Sequence, residues 1–88
     1  MTFENNAHAY KFWLIRNRGL TIESAGSYVS YSRRVERDLA LSLDGWVRTT
    51  TGLQTVIERI ENEIPSKQSQ GKLQTATRAY AEFLNRGA

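Results

Sequence analysis

Apolar residues recur along this chain at intervals of three and four, the spacing of a buried helical face, and no stretch alternates as a strand does. Phe3, Ala7, Tyr10 and Leu14 form the first stripe, with Trp13 beside it, and predict a helix from about Thr2 to Arg18. Phe12 and Ile15 lie on another side, so contact from two directions is expected. Gly19 then makes a good stop, because glycine accepts the left-handed cap conformation and Arg16 and Arg18 suit the negative helix end. Thr21 is the expected N-cap of a second helix, running to about Leu39. Ile22, Ala25, Tyr28, Val29, Ser32, Val35 and Leu39 cluster on its inner side, with Ser27, Ser30, Arg33, Arg34 and Arg37 opposite. Gly26 inside this helix costs up to about 1 kcal/mol relative to alanine, and close packing is the expected reason for it.

Leu39 to Thr51 reads as a connector with a turn at Asp44-Gly45, and Thr49, Thr50 and Thr51 offer caps. Leu41, Leu43, Trp46 and Val47 are too apolar for a free linker, so this segment should fold over the core. A third helix, about Gly52 to Ile64, carries one stripe of Leu53, Val56, Ile57, Ile60 and Ile64 and stops at Pro65. Its outer face bears Glu58, Glu61 and Glu63, which marks it as a brace turned away from phosphate. Ser66 to Ser69 caps a fourth helix that runs to about Asn85 and is closed by Gly87. Leu73, Ala76, Tyr80, Phe83 and Leu84 point to its core side, while Gly71, Gln74, Thr75 and Arg78 face away. The expected fold is all-α: a single four-helix bundle spanning residues 1–88.

Composition narrows the class. Hydrophobic residues make up 40% of the chain, enough for one core and too many for disorder. There is no cysteine, which removes disulfides and thiolate metal sites and is compatible with a reducing cytoplasm, the expected location. The polar start Met1-Thr2-Phe3-Glu4 is not that of a signal peptide, and no apolar run approaches a membrane span, so no membrane role is expected. Net charge is +3, and it is unevenly spread: +2 over residues 1–43, −2 over residues 44–65 and +3 over residues 66–88. One element should therefore repel phosphate while the others attract it.

Catalytic parts are scarce. His8 is the single histidine, so no metal site of ordinary type is expected, and it reads as a surface residue. Glu58 and Glu61 lack facing partners, and no phosphate-cradling glycine loop exists. We expect no enzyme, no cofactor, no metal and no small-molecule substrate. What remains is two polar helix starts, one at Thr21 and Ser24 and one at Ser66, Ser69 and Gln70 with Lys67 and Lys72 nearby. Helix N-termini offer free N–H groups and partial positive charge to phosphates, and arginines further in reach the flanking strand or guanine edges. Simple helix caps would look the same.

Several short motifs act together here. They are Trp13-Leu14, Gly19-Leu20-Thr21, the Ser24-x-x-x-Tyr28 spacing, the pair Arg33-Arg34, the acidic third helix and a closing Arg-x-Tyr-x-x-Phe-Leu at Arg78–Leu84. In this pattern the chain resembles the N-terminal core-binding (SAM-like) domain of tyrosine recombinases and phage integrases. The resemblance implies a four-helix half of a C-shaped clamp on duplex DNA, with the second and fourth helices at the major groove. It nominates Thr21, Ser24, Ser27, Arg33, Arg34 and Arg37, and then Lys67, Ser69, Gln70, Lys72, Gln74, Thr75 and Arg78, as DNA-facing. The family's catalytic domain has no room in 88 residues, so Tyr10, Tyr28, Tyr31 and Tyr80 are not read as its nucleophile. Glu23 and Glu36, on or near the same face, would repel phosphate. The other expectation is a module, such as a phage or mobile-element accessory protein, that docks on a protein partner or self-associates. One solvent-facing patch of Phe12, Tyr31 and Trp46 would favour that reading.

Overall fold

A computed structural model describes residues 3–86, which form five helices. These are α1 (Phe3–Arg18), α2 (Ile22–Leu39), α3 (Leu43–Trp46), α4 (Thr50–Glu63) and α5 (Lys67–Leu84). The all-α class stands, with no strand among the described residues. The bundle has four long helices and one single-turn helix, α3, in place of the turn expected at Asp44-Gly45. The expected closure at Gly87 lies outside the described residues.

Local chemistry sets the ends of the long helices. Thr21, Thr49 and Ser66 are extended N-caps whose hydroxyls accept from the backbone N–H groups of Ser24, Gly52 and Ser69 at 3.1, 3.0 and 3.3 Å. Gly19 takes φ +66° between α1 and α2, as a left-handed stop requires. Ala40 takes the same region, φ 52°, to end α2. Ile64 turns extended before Pro65, since proline disfavours the helical conformation in the residue before it.

The core joins faces of all five helices. Phe3, Tyr10 and Leu14 from α1 meet Leu73, Tyr80 and Phe83 from α5, with Val29 and Val35 of α2 and Val56 and Ile60 of α4 around them. Tyr80 takes Phe3 and Tyr10 edge-on at ring distances of 4.9 and 5.0 Å, which are favourable aromatic geometries. The Tyr10 hydroxyl donates to the Ala76 carbonyl at 3.1 Å, so its buried polar end is satisfied.

The connector does lie over this core, with Leu43 and Val47 buried. Asp44 is buried too, because its carboxylate accepts from the Tyr80 hydroxyl at 2.5 Å and from Asn6 Nδ2 at 2.9 Å. That network fastens α3 to α1 and α5. Glu36 holds the start of α3 by accepting from the Leu43 N–H at 2.9 Å. Burial pushes the Glu36 carboxyl above its ordinary value; the Leu43 bond opposes this, and the nearby Asp44 charge adds to it.

Two expectations need correction. Ile22 is 68% exposed, since the first residue of α2 stands beyond the reach of the core. Gly26 is not packed against another element: nothing lies within 4 Å of where a Cβ would stand. The close approach occurs at Gly52 instead, where a Cβ would run into the Trp46 carbonyl group of α3.

Candidate nucleic-acid interface

The α5 start does not sit beside the α2 start, as two helix ends sharing one groove would require. Arg34, in the C-terminal half of α2, donates to Ser69 Oγ of the first turn of α5 at 3.4 Å. At the other end Arg18, just ahead of α2, pairs with Glu82 in the last turn of α5 at 2.5 Å. The two helices therefore run in opposed senses, as neighbours in a bundle with short connections tend to. Thr21 lies about 20 Å along the helix axis from Arg34 at the ordinary helical rise. The residues brought together are the end of α2 and the start of α5.

On α2 the nominated arginines are held by carboxylates. Arg33 forms a two-pronged pair with Glu4 of α1, at 2.7 and 3.0 Å. Arg34 and Arg37 share Asp38, at 3.0 and 3.1 Å. Hydrogen bonds from these guanidiniums hold the Glu4 and Asp38 carboxyls below their usual range. Thr21 is occupied as a cap, Ser24 is exposed with its N–H capped, and Ser27 donates to the Glu23 carbonyl at 3.2 Å. Glu23 is exposed near the start of α2, and Glu36 is turned in toward α3.

On α5 the nominated residues divide in two. Gln70 donates to the Ile64 carbonyl at 2.6 Å and Gln74 to the Ile57 carbonyl at 3.2 Å, so both amides tie α5 to α4. Ser69 is half-buried against Arg34. Lys67, Lys72, Thr75 and Arg78 are exposed, and none of the three cations forms an ion pair among the described residues. Lys67, Gly71, Thr75 and Arg78 follow at steps of four, four and three, which places them on one ridge of the helix, with Lys72 on its flank. Gly71 leaves that ridge open, with nothing within 4 Å of a Cβ position. A partner's backbone meets cations and small polar groups here, with Glu61 of α4 bordering the ridge on the Lys67 and Gly71 side.

Sequence spacing foreshadowed part of this division. Arg34 and Asp38 stand four apart on one helix, where an ion pair is ordinary. Glu4 and Arg33 meet only because α1 and α2 fold back on each other, which no local pattern announces. Glu58, Glu61 and Glu63 are exposed on α4, the acidic side expected of it. Glu63 pairs with Arg59 at 2.6 Å, and that bond lowers its carboxyl pKa. Among the described residues there is no cluster of three metal-ligating side chains, and no helix is long and apolar enough to cross a membrane. No protein-family model matches the chain, and neither does a curated protein or a solved structure.

Proposed function

We propose that this chain is a non-enzymatic module that binds duplex DNA along the exposed ridge of α5, in the manner of the core-binding (SAM-like) domain of tyrosine recombinases. The observation that carries the reading is the trio Lys67, Lys72 and Arg78, exposed and without carboxylate partners around the open Gly71–Thr75 surface. Phosphate contacts supply most of the affinity of such modules, and unpaired cations make them without first losing an internal ion pair. Arg33, Arg34 and Arg37 take a supporting part, because Arg33 spends two N–H groups on Glu4 while Arg34 and Arg37 each spend one on Asp38, which offsets part of their charge. The cysteine-free composition fits work in the reducing cytoplasm.

The exposed aromatics do not gather into one patch, although Phe12 and Trp46 are 48% and 40% exposed. Tyr31 packs against the core, Phe12 stands on α1 beside His8, and Trp46 stands on α3; no ring pair joins the three. The test is titration of a short duplex with the intact chain at low salt. Lys72→Glu and Arg78→Glu should each weaken binding by roughly tenfold, and Arg33→Ala by much less. Absence of binding at low salt, or affinity unchanged in both α5 variants, overturns the proposal.

A further inference from the structure

A second surface lies away from the α5 ridge, where α1 meets the end of α5. Phe12 and Trp13 of α1 and Phe83 of α5 line a groove of ≈ 220 Å³, with Arg16 and Arg86 at its edges and no acidic residue in its lining. Such a volume is below that of drug-sized ligand pockets and suits a single apolar side chain. Phe12 is 48% exposed, although an aromatic ring gains much by burial. Its only ring neighbour is His8, edge-on at 4.7 Å, so one face of the groove wall is left without a partner among the described residues.

The two arginines set the chemistry of the occupant. Arg16 is exposed and forms no ion pair among the described residues. Arg86 lies over the Phe83 ring at 4.0 Å and donates to the Phe83 carbonyl at 2.5 Å, which holds its guanidinium at the groove instead of in open solvent. A cation already placed beside an apolar slot loses less entropy on binding an anion. We propose that this groove docks an acidic peptide segment of another protein, one apolar side chain resting on the exposed Phe12 ring and the outer edge of Trp13, above the buried Phe83, while flanking carboxylates pair with Arg16 and Arg86. Arginine and aromatic residues together are the usual energetic anchors of such contacts. The site shares no residue with the α5 ridge, so it permits DNA and a protein partner to be held at once.

The test is an NMR titration of the intact chain with the blocked peptide Asp-Glu-Leu-Phe-Asp-Glu. Shifts should cluster at the Trp13 indole and at the amides of Phe12, Arg16 and Arg86. Arg16→Glu, Arg86→Glu and Phe12→Ala should each weaken binding by roughly fivefold to tenfold, in the range of interface anchors. All three positions are exposed, so folding should survive, and Lys72→Glu and Arg78→Glu should leave peptide affinity unchanged. Equal binding of a peptide with Gly-Gly for Leu-Phe would reduce the groove to non-specific charge and overturn the proposal. So would tighter binding of single-stranded oligonucleotide at the same residues, or concentration-dependent shifts there without peptide, which would make a second copy the occupant.

Discussion

Gly26 and Gly52 are both helical glycines, yet they sit in opposite surroundings. A methyl group at Gly26 meets open space in the shallow cleft between α1 and α2. Gly26→Ala therefore gains helix propensity without a clash and should stabilise the fold by up to about 1 kcal/mol. A methyl group at Gly52 meets the Trp46 carbonyl carbon at 2.8 Å and its oxygen closer still, and backbone cannot swing aside as a flexible side chain does. Gly52→Ala should cost roughly 1–3 kcal/mol, the usual range for overpacking. Urea unfolding of the two variants checks both signs, and a destabilised Gly26→Ala would mean that the cleft is filled. Glu36 offers a pH-dependent counterpart. Its raised pKa means that its contribution to stability is complete below the ordinary value of 4.5 and is lost as pH rises through the folded value. Glu36→Gln keeps an acceptor for the Leu43 N–H and removes that loss, so the variant should gain on the parent between pH 4 and pH 7. Glu4, Asp38 and Glu63 titrate in the opposite sense, but they are common to both chains and cancel in the difference. A variant that loses ground toward pH 7 would show that the charged carboxylate is needed at the start of α3.

α2 and α5 are of equal length and both carry cations, and their ion pairing separates them. On α2, Asp38 holds two guanidiniums at once. Asp38→Asn should release Arg34 and Arg37 and, if α2 lies within reach of the duplex, strengthen binding several-fold while steepening its salt dependence by one or two ions. Fluorescence anisotropy at two salt concentrations measures both quantities. An unchanged affinity would place α2 outside the interface and leave α5 alone in it. This distinction also marks how far local pattern carries. The four long helices were legible because their stripes and their caps at Thr21, Thr49 and Ser66 are local features. Helix α3 was not, since it is fastened by Asp44 reaching Asn6 and Tyr80, which are 38 and 36 residues away in sequence. The open ridge of α5 was readable from its polar face. The quenching of Arg33 by Glu4, the opposed run of α2 and α5, and the turning of Gln70 and Gln74 toward α4 all depend on tertiary packing.

Glu58, Glu61 and Glu63 lie outside α4 and Lys67, Lys72 and Arg78 outside α5, and the two sets adjoin where Glu61 borders Lys67 and Gly71. Only a partner that meets the α5 side without approaching α4 benefits from this arrangement. Three phosphate contacts give log K against log salt a slope of about −2.7, so raising salt from about 50 to 200 mM should weaken duplex binding roughly 40-fold. If the α2 arginines also contact phosphate, the count doubles, the slope approaches about −5.4 and the loss exceeds about a thousandfold. The first value assigns the grip to α5 alone, whereas the second adds Arg33, Arg34 and Arg37 to it. If docking also breaks their ion pairs, the Glu4 and Asp38 carboxyls would return toward their usual pKa values, and binding near pH 4 would be accompanied by proton uptake. Salt titration thus counts the phosphate contacts, and proton-linked calorimetry tests whether the pairs break. A slope near zero would remove phosphate from the interface and leave the aromatic groove between α1 and α5 as the surface through which the chain acts.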